Sequence, residues 1–306
     1  MLIPTSPRAG EDKVRCKPLL INGKRFFFDL FARSQNFTWH RTMSVRLTPE
    51  QIERYSRQIM IPDVGGKGQI RLRQGRVLII GAGGLGSPAA FYLAAAGVGT
   101  LGLVDSDRVD LSNLQRQILH STADLGREKV ASAKDKLARL NPEVEILAFP
   151  VRLDEKNAAD LIAGYDFIVD GSDNFATKFL VNDAAVALGK AFSHAGIVRL
   201  QGQTMTVIPG KGACYRCLFK DPPAPGEILN CQQAGILGAI AGTIGSIQAT
   251  EAIKYLIGME EELLVDRLLT YDATAMRFHT IEVRRDPRCG ACGDNARGER
   301  KLRSMT

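Results

Sequence analysis

Four of the six cysteines in this 306-residue chain occur as two Cys-x2-Cys pairs. Cys214 and Cys217 belong to "CYRC", Cys289 and Cys292 belong to "CGAC", and 71 residues separate the two pairs. Two such pairs can supply four thiolates to one tetrahedral zinc ion that keeps no open coordination position. Two unrelated redox pairs in one domain are the alternative. We expect a structural zinc site that pins the loop after residue 214 to the C-terminal part of the chain.

A glycine-rich turn follows the apolar run "VLII", which ends at Ile80. The spacing Gly81-x-Gly83-x-x-Gly86 is typical of a dinucleotide-binding turn between a strand and a helix. Asp105, 19 residues beyond Gly86, ends a second apolar run, where an acidic residue commonly binds a ribose hydroxyl. The helix start after such a turn favours an anion. By itself, the turn fits a nicotinamide enzyme, an enzyme of another nucleotide, or a tight turn without a ligand.

The polar segment "VDSDRVDLSNLQRQ" places Asn113, Arg116 and Gln117 beyond the carboxyl end of that second strand. Ligands bind along this edge in open parallel sheets. An arginine there suits a polyphosphate because its guanidinium forms bidentate hydrogen bonds. Lys129 stands at the start of the next predicted helix, where a cation opposes the helix dipole. Lys129 therefore needs an anionic ligand or solvent.

Asp173 and Asn174 follow another apolar run, "FIVD", and precede a further predicted helix. Both residue types are favoured helix caps, and a carboxylate here could also bind Mg²⁺. Cations for a triphosphate together with a carboxylate for a metal describe an ATP site better than a nicotinamide site. Cys231, in "NCQQAG", precedes an apolar helix and is either a partly ionised nucleophile or a small buried residue.

Alternating strands and helices must position these residues. The pattern predicts strands at 76–80, 101–105, 144–149, 166–170 and 191–194, and helices at 86–97, 127–140, 154–163 and 175–189. Beyond Gly202 it predicts a strand in "GQTMTVIP", an apolar helix at 233–257, and strands at 266–271 and 276–284. We predict an α/β fold with a Rossmann-like, doubly wound, mostly parallel sheet and a C-terminal zinc-pinned extension.

The net charge of +7 is concentrated near the N-terminus, where residues 1–46 hold nine Lys/Arg and three Asp/Glu. The remainder is almost neutral, so no nucleic-acid-binding domain is expected. The longest apolar stretch, residues 234–249, is short for a membrane span, and no secretory signal is evident, which together predict a cytoplasmic protein without a membrane segment. We expect residues 1–42 to form a poorly ordered or dispensable arm, 43–293 the functional domain, and 294–306 a polar tail.

Eight motifs resemble, in order, those of the MoeB/ThiF/HesA family, bacterial relatives of ubiquitin-activating enzymes. They are "RYSRQI", "GAGGLGSPAA", "LSNLQRQ", "DNFATK", "CYRC", "NCQQAG", "GSIQATEAIK" and "CGACG", and they run from about Glu53 to Gly293. The resemblance implies an enzyme that binds ATP with Mg²⁺ and adenylates the C-terminal glycine of a small ubiquitin-like sulfur-carrier protein ending in Gly-Gly. Pyrophosphate would be released, and the pathway would be molybdopterin or thiamine biosynthesis.

The resemblance also implies roles for individual residues. Asp105 matches the ribose-binding acid, Asp173 the acid at the metal site, and Arg57 an arginine that reaches the neighbour's ATP across a homodimer interface. Cys231 matches a cysteine that some members use as a covalent sulfur relay. The remaining implied nucleotide contacts are Gly81, Gly83, Gly84 and Gly86 of the turn, then Ser112, Asn113, Leu114, Gln115, Arg116, Lys129 and Asn174.

Two other function classes remain as alternatives at this point. An NAD-dependent oxidoreductase would use the same turn but would leave Arg116, Lys129 and the cysteine pairs unexplained. A non-catalytic module that docks a ubiquitin-like protein would have no need of the ATP residues, which are all present. Because the chain ends soon after Cys292, we expect a separate sulfur donor, such as a cysteine desulfurase.

Overall fold

The computed structural model describes residues 46–223, 234–294 and 296. Its strands are β1 Arg76–Ile80, β2 Thr100–Val104, β3 Glu145–Phe149, β4 Phe167–Asp170, β5 Ala191–Val198, β6 Gln201–Val207, β7 Arg267–Asp272 and β8 Arg277–Glu282. Its described helices are α1 Pro49–Arg54, α2 Ser56–Ile59, α3 Gly65–Gln74, α4 Gly86–Ala95, α5 Lys129–Leu140, α6 Ala158–Ala163, α7 Phe175–Leu188, α8 Tyr215–Leu218 and α9 Gly238–Ile257. Short 3-10 turns occur at Leu111–Asn113, Thr122–Asp124 and Glu260–Glu262.

The eight strands form one sheet in the order β3-β2-β1-β4-β5-β6-β7-β8. The first five strands in this order, β3, β2, β1, β4 and β5, are parallel to one another. Their near-continuous apolar sequences follow from burial on both faces, and every residue of β2 and β4 is buried. Strand order reverses around β1, so a crevice opens outside the carboxyl ends of the strands beside it. The predicted Rossmann-like sheet is confirmed, and the glycine-rich turn lies at this reversal.

The last three strands are antiparallel and extend the sheet on the β5 side. Strand β5 continues to Val198, four residues beyond its predicted end, because its second half pairs with β6. Strand β8 is the edge strand at this end of the sheet, and all six of its residues are exposed. The chain leaves this edge toward the second pair of cysteines, so the extension ends at the predicted metal site.

Helix α9 packs along the sheet against α4, β5 and β6. It begins at Gly238 rather than at the predicted residue 233 and ends before Gly258, whose φ of +91° suits a glycine C-cap. Gly245 permits close packing, since a Cβ there would lie 2.3 Å from the Leu85 carbonyl oxygen. Within the described parts of the chain, no helix has the length and apolar character needed to cross a membrane.

Candidate functional site

The glycine-rich turn connects β1 to α4 through a backbone that only glycine can form. Gly81 has φ of +90°, and a Cβ on Gly86 would lie 1.8 Å from the Gly81 carbonyl oxygen. Within the described residues, the amide N–H groups of Gly83 and Gly84 have no hydrogen-bond partner. Unpaired amides at the start of a ten-residue helix form an anion-binding position.

Asp105 lies one residue beyond β2 and contacts the turn directly. Its Oδ2 accepts a hydrogen bond of 2.8 Å from the amide of Ala82, and its Oδ1 accepts one of 2.8 Å from the amide of Asp107. Burial raises the pKa of Asp105, and the Lys129 charge opposes that rise. Each carboxylate oxygen can accept a further hydrogen bond, so the site remains compatible with a ribose hydroxyl.

A cavity of about 370 Å³ opens beside the turn. It brings together residues from three separate segments of the sequence: the polar segment after β2, the start of α5 and the loop after β4. The lining residues are Asp107, Arg108, Asp110, Ser112, Asn113, Arg116, Gln117, Lys129 and Asp173. Five residues predicted to contact the nucleotide therefore share one cavity, whereas Leu114, Gln115, Asn174 and Arg57 are not among its lining residues.

Lys129 is the buried cation of this cavity, with only 5% of the residue exposed. Its Nζ donates to Asp107 Oδ2 at 2.8 Å, so the solvated-lysine alternative is wrong. The lysine stands at the first position of α5, where the helix dipole repels it. The carboxylate of Asp107 offsets that repulsion.

Arg116 also lines the cavity, and one of its guanidinium nitrogens donates to the Ser112 carbonyl oxygen at 3.0 Å. Its aliphatic stem packs close to the turn, since a Cβ on Gly84 would lie 3.5 Å from the Arg116 Cγ. The start of α9 packs on the same residue, because a Cβ on Gly238 would lie 3.2 Å from the Arg116 Cα. Backbone packing on two sides fixes the arginine beside the glycine-rich turn.

In the loop after β4, Asp173 and Asn174 have different surroundings. Asn174 is the N-cap of α7, and its Oδ1 accepts from the Thr177 amide at 2.9 Å. Asp173 lines the cavity instead. Behind the loop, the buried Asp170 carboxylate accepts from the Ser172 amide at 3.0 Å and from Lys178 Nζ at 3.2 Å. Helix capping explains Asn174, and Asp173 stays available to a ligand.

Arg57 lies on the exposed surface of α2. The described residues of one chain do not test a contact across an interface. Cys231 and the arm, residues 1–42, lie outside the described residues, as does nearly all of the tail.

The four paired cysteines form one cluster, in which the four Sγ atoms all lie within 4.8 Å of one another. Cys214 and Cys289 are 3.6 Å apart, and Cys217 and Cys292 are 3.4 Å apart, measured between Sγ atoms. A tetrahedral zinc with Zn–S bonds of about 2.3 Å requires sulfur separations of about 3.8 Å. The neighbouring thiols, Cys214 above all, lower the pKa of Cys292. The cluster therefore fits a tetrahedral metal ion.

Two residues that contact the key groups of this site are not indicated by the sequence motifs. Asp107 is the partner of Lys129, and His120 contacts the glycine-rich turn from behind. The acidic spacing in "VDSDRVD" was a signal for Asp107. A lone histidine in "RQILH" gave no comparable signal, because its partner is a backbone carbonyl far away in the sequence.

The comparisons with known proteins agree with this geometry. The ThiF family profile matches residues 55–291. The chain is 47% identical over 255 residues to the sulfur carrier protein adenylyltransferase of Thermus thermophilus, a match that covers 82% of this chain and 94% of that protein. It is 50% identical over 245 residues to the probable adenylyltransferase/sulfurtransferase MoeZ of Mycobacterium tuberculosis, covering 79% of this chain but only 62% of MoeZ.

Among solved structures, E. coli MccB with MccA-N7isoASN has the same fold, with a TM-score of 0.71 at 23% identity. That match covers 79% of this chain and 75% of MccB. The family profile matches well over half of the residues, and the Thermus relative is matched along nearly its whole length. The chain belongs to the ThiF family.

Proposed function

We propose that this chain uses ATP to adenylate the C-terminal glycine carboxylate of a small ubiquitin-like sulfur-carrier protein and releases pyrophosphate. The observation that carries the proposal is the shared cavity. There, Arg116, Lys129 and Asp173 meet beside the unpaired amides of the glycine-rich turn. The names of the relatives support the same chemistry. A nicotinamide site would not need this cluster of cations and a carboxylate at this position.

The reaction requires charge stabilisation rather than a base. A carboxylate is already ionised at neutral pH, so it can attack the α-phosphate directly. Negative charge then develops around that phosphorus and on the departing pyrophosphate, and preorganised cations stabilise it. Arg116 and Lys129 are two of the three cations that line the cavity and the two that we assign to the phosphates, and Asp105 orients the nucleoside by its ribose. Mg²⁺ would be held by Asp173 and would neutralise phosphate charge.

Lys129 must exchange its partner for this chemistry to occur. In this structure, Asp107 forms an ion pair with the lysine. Asp107 is mostly exposed, with 66% of its side chain accessible, whereas Lys129 is buried. The carboxylate can therefore return to water at little cost when a phosphate takes its place. The pair keeps a buried cation satisfied until the substrate arrives.

We further propose that the cysteine cluster binds zinc in a structural role, since four thiolates leave no coordination position for a substrate. Arg57 would act across a homodimer interface. Cys231 would act as a sulfur relay if the carrier belongs to thiamine biosynthesis and would be dispensable if it belongs to molybdopterin biosynthesis. The sulfur would then come from a separate donor, such as a cysteine desulfurase.

Carrier-dependent exchange of labelled pyrophosphate into ATP tests the proposal. Candidate carriers from the thiamine and molybdopterin pathways should be compared, each with its C-terminal Gly-Gly intact and with the last glycine removed. We expect exchange with one intact carrier and none with its shortened form. Exchange without any carrier, or nicotinamide binding in place of ATP binding, would contradict the proposal.

A further inference from the structure

We infer that His120 is a positioning residue that orients the Gly83 amide of the glycine-rich turn. The inference deepens the proposed function, since it presumes that this turn binds phosphate. His120 is buried, with 6% of the residue exposed, and both of its ring nitrogens have partners. Nε2 lies 2.9 Å from the carbonyl oxygen of Ala82, and Nδ1 lies 3.0 Å from Ser132 Oγ.

The partners of the imidazole determine its tautomer. A carbonyl oxygen can only accept, so Nε2 must carry the hydrogen and donate it to Ala82. In the neutral ring, Nδ1 then accepts from the Ser132 hydroxyl. That hydroxyl in turn accepts from Lys136 Nζ at 2.9 Å. The donors therefore run in one direction, from Lys136 through Ser132 and His120 to the turn.

The neutral form is favoured by the surroundings of the ring. Burial lowers the pKa of His120, and the charges of Lys136 and Lys129 lower it further. The hydrogen bond to the Ala82 carbonyl and, more weakly, the charge of Asp124 raise the pKa, but burial outweighs both and the pKa stays below its ordinary value. Asp124 is itself bonded to Lys136, Ser121 and Arg127. The imidazole is thus a neutral donor to the turn at physiological pH.

The Ala82 carbonyl and the Gly83 N–H belong to the same planar peptide group and point in opposite directions. His120 holds the carbonyl end of that group, and the Gly83 N–H end has no partner within the described residues. The preceding peptide group is held separately, because Asp105 accepts from the Ala82 amide. The glycine that follows would allow this peptide to rotate to positive φ at little cost. The hydrogen bond from His120 to the Ala82 carbonyl opposes this rotation. It therefore keeps the Gly83 N–H on the side of the peptide that faces away from His120.

Two variants separate this role from simple packing. His120→Phe keeps a ring of similar size but leaves the Ala82 carbonyl without its donor. His120→Gln places an amide nitrogen where Nε2 was and can restore the hydrogen bond. His279→Phe is the matched control, because His279 lies exposed on the edge strand β8. Each protein should be assayed by calorimetric titration with Mg²⁺ and the non-hydrolysable analogue α,β-methylene-ATP, and by thermal unfolding.

We expect His120→Phe to weaken analogue binding by about tenfold, the effect of one lost buried hydrogen bond. His120→Gln should bind within about threefold of the wild type, and His279→Phe should be unchanged. Long-range ¹H–¹⁵N spectra of the wild-type protein should show a neutral ring protonated on Nε2. Equal weakening by Phe and Gln, normal binding by a folded Phe variant, or an Nδ1–H tautomer would each overturn the inference.

The assay also separates this inference from the proposed function, because no carrier is present. Normal analogue binding without pyrophosphate exchange on any carrier would reject the adenylation proposal alone. Normal exchange with binding that is insensitive to His120→Phe would reject only the role of His120. If the Phe variant fails to fold, the tautomer of the wild type and the affinity of the Gln variant decide the question.

Discussion

Replacement of Gly86 by alanine tests whether the close approach within the glycine-rich turn is essential to the fold. The added Cβ would lie 1.8 Å from the Gly81 carbonyl oxygen, and real Cβ contacts are almost never shorter than 3.0 Å. The turn would therefore have to open by roughly 1.2 Å. The turn has little room to open, because Gly81 already packs closely against the backbone at Gly171. Even a Cβ on Gly81 would lie only 2.9 Å from the Gly171 carbonyl oxygen.

We expect this strain to lower the free energy of unfolding by about 3 kcal/mol, at the upper end of overpacking costs. For a chain of this size, that corresponds to a decrease in melting temperature of roughly 5 °C. Gly83→Ala is the informative contrast, since a Cβ there would meet Gln117 only at an ordinary 3.6 Å. Its melting temperature should stay the same or rise slightly, because alanine restricts the unfolded chain.

Thermal unfolding of the two variants without and with ATP and Mg²⁺ provides the measurement. Gly164→Ala is a neutral control, as a Cβ there would meet nothing within 4 Å. Gly83→Ala should fold normally yet gain less stabilisation from ATP than the wild type, because its methyl group obstructs the approach of phosphate to the backbone. Our account of the turn would be refuted if Gly86→Ala melted within about 2 °C of the wild type.

The remaining predictions concern the cavity, the metal and the segments outside the described residues. Arg116→Ala should slow pyrophosphate exchange by about a hundredfold through loss of about 3 kcal/mol of transition-state stabilisation, with little change in melting temperature; near-normal exchange would remove Arg116 from the mechanism. Purified reduced protein should contain one zinc per chain, and chelation should lower the melting temperature, because binding of the metal contributes directly to folding. Metal analysis that finds no zinc would contradict this assignment. A chain that begins at Met43 should fold and exchange pyrophosphate like the full chain, and its aggregation or inactivity would mean that the arm belongs to the functional domain. Cys231→Ser should keep exchange within a few-fold of the wild type while abolishing any reducible conjugate with a thiamine-type carrier; loss of exchange in the folded variant would mean that Cys231 shapes the ATP site.

The order of strands and helices could be predicted from the sequence because burial on both faces leaves uninterrupted apolar runs. Strand β1 coincides with its predicted range, 76–80. Element ends were harder to predict where side chains compete with the backbone. The helix predicted from residue 154 begins at Ala158, because Asp154 accepts hydrogen bonds from the amides of Lys156 and Asn157 and forms a turn instead.

The cavity was predictable in outline, since the carboxyl ends of neighbouring parallel strands meet at one edge. The side-chain contacts in and behind the cavity were not predictable. The contact between Lys129 and Asp107 joins a helix start to a loop 22 residues earlier, and the contact of His120 with Ala82 spans 38 residues. Neither pairing leaves a local pattern in the sequence, although the acidic stretch "VDSDRVD" marks Asp107 itself. For Asn174, the sequence is compatible with both helix capping and ligand binding. Only the hydrogen bond from the Thr177 amide to its side chain shows that it caps α7.

The cysteine cluster also bears on how this chain can vary. Residues 218–288 lie between the two pairs, and a bound metal would close them into a ring anchored at both ends. Closing a loop of that length removes about 4 kcal/mol of chain entropy from the unfolded state on the scale used for cross-links. That term grows only logarithmically with ring size. Insertions in the loops between the pairs would therefore leave the metal's contribution to stability almost unchanged, so these loops can change length while both ends of the ring stay fixed.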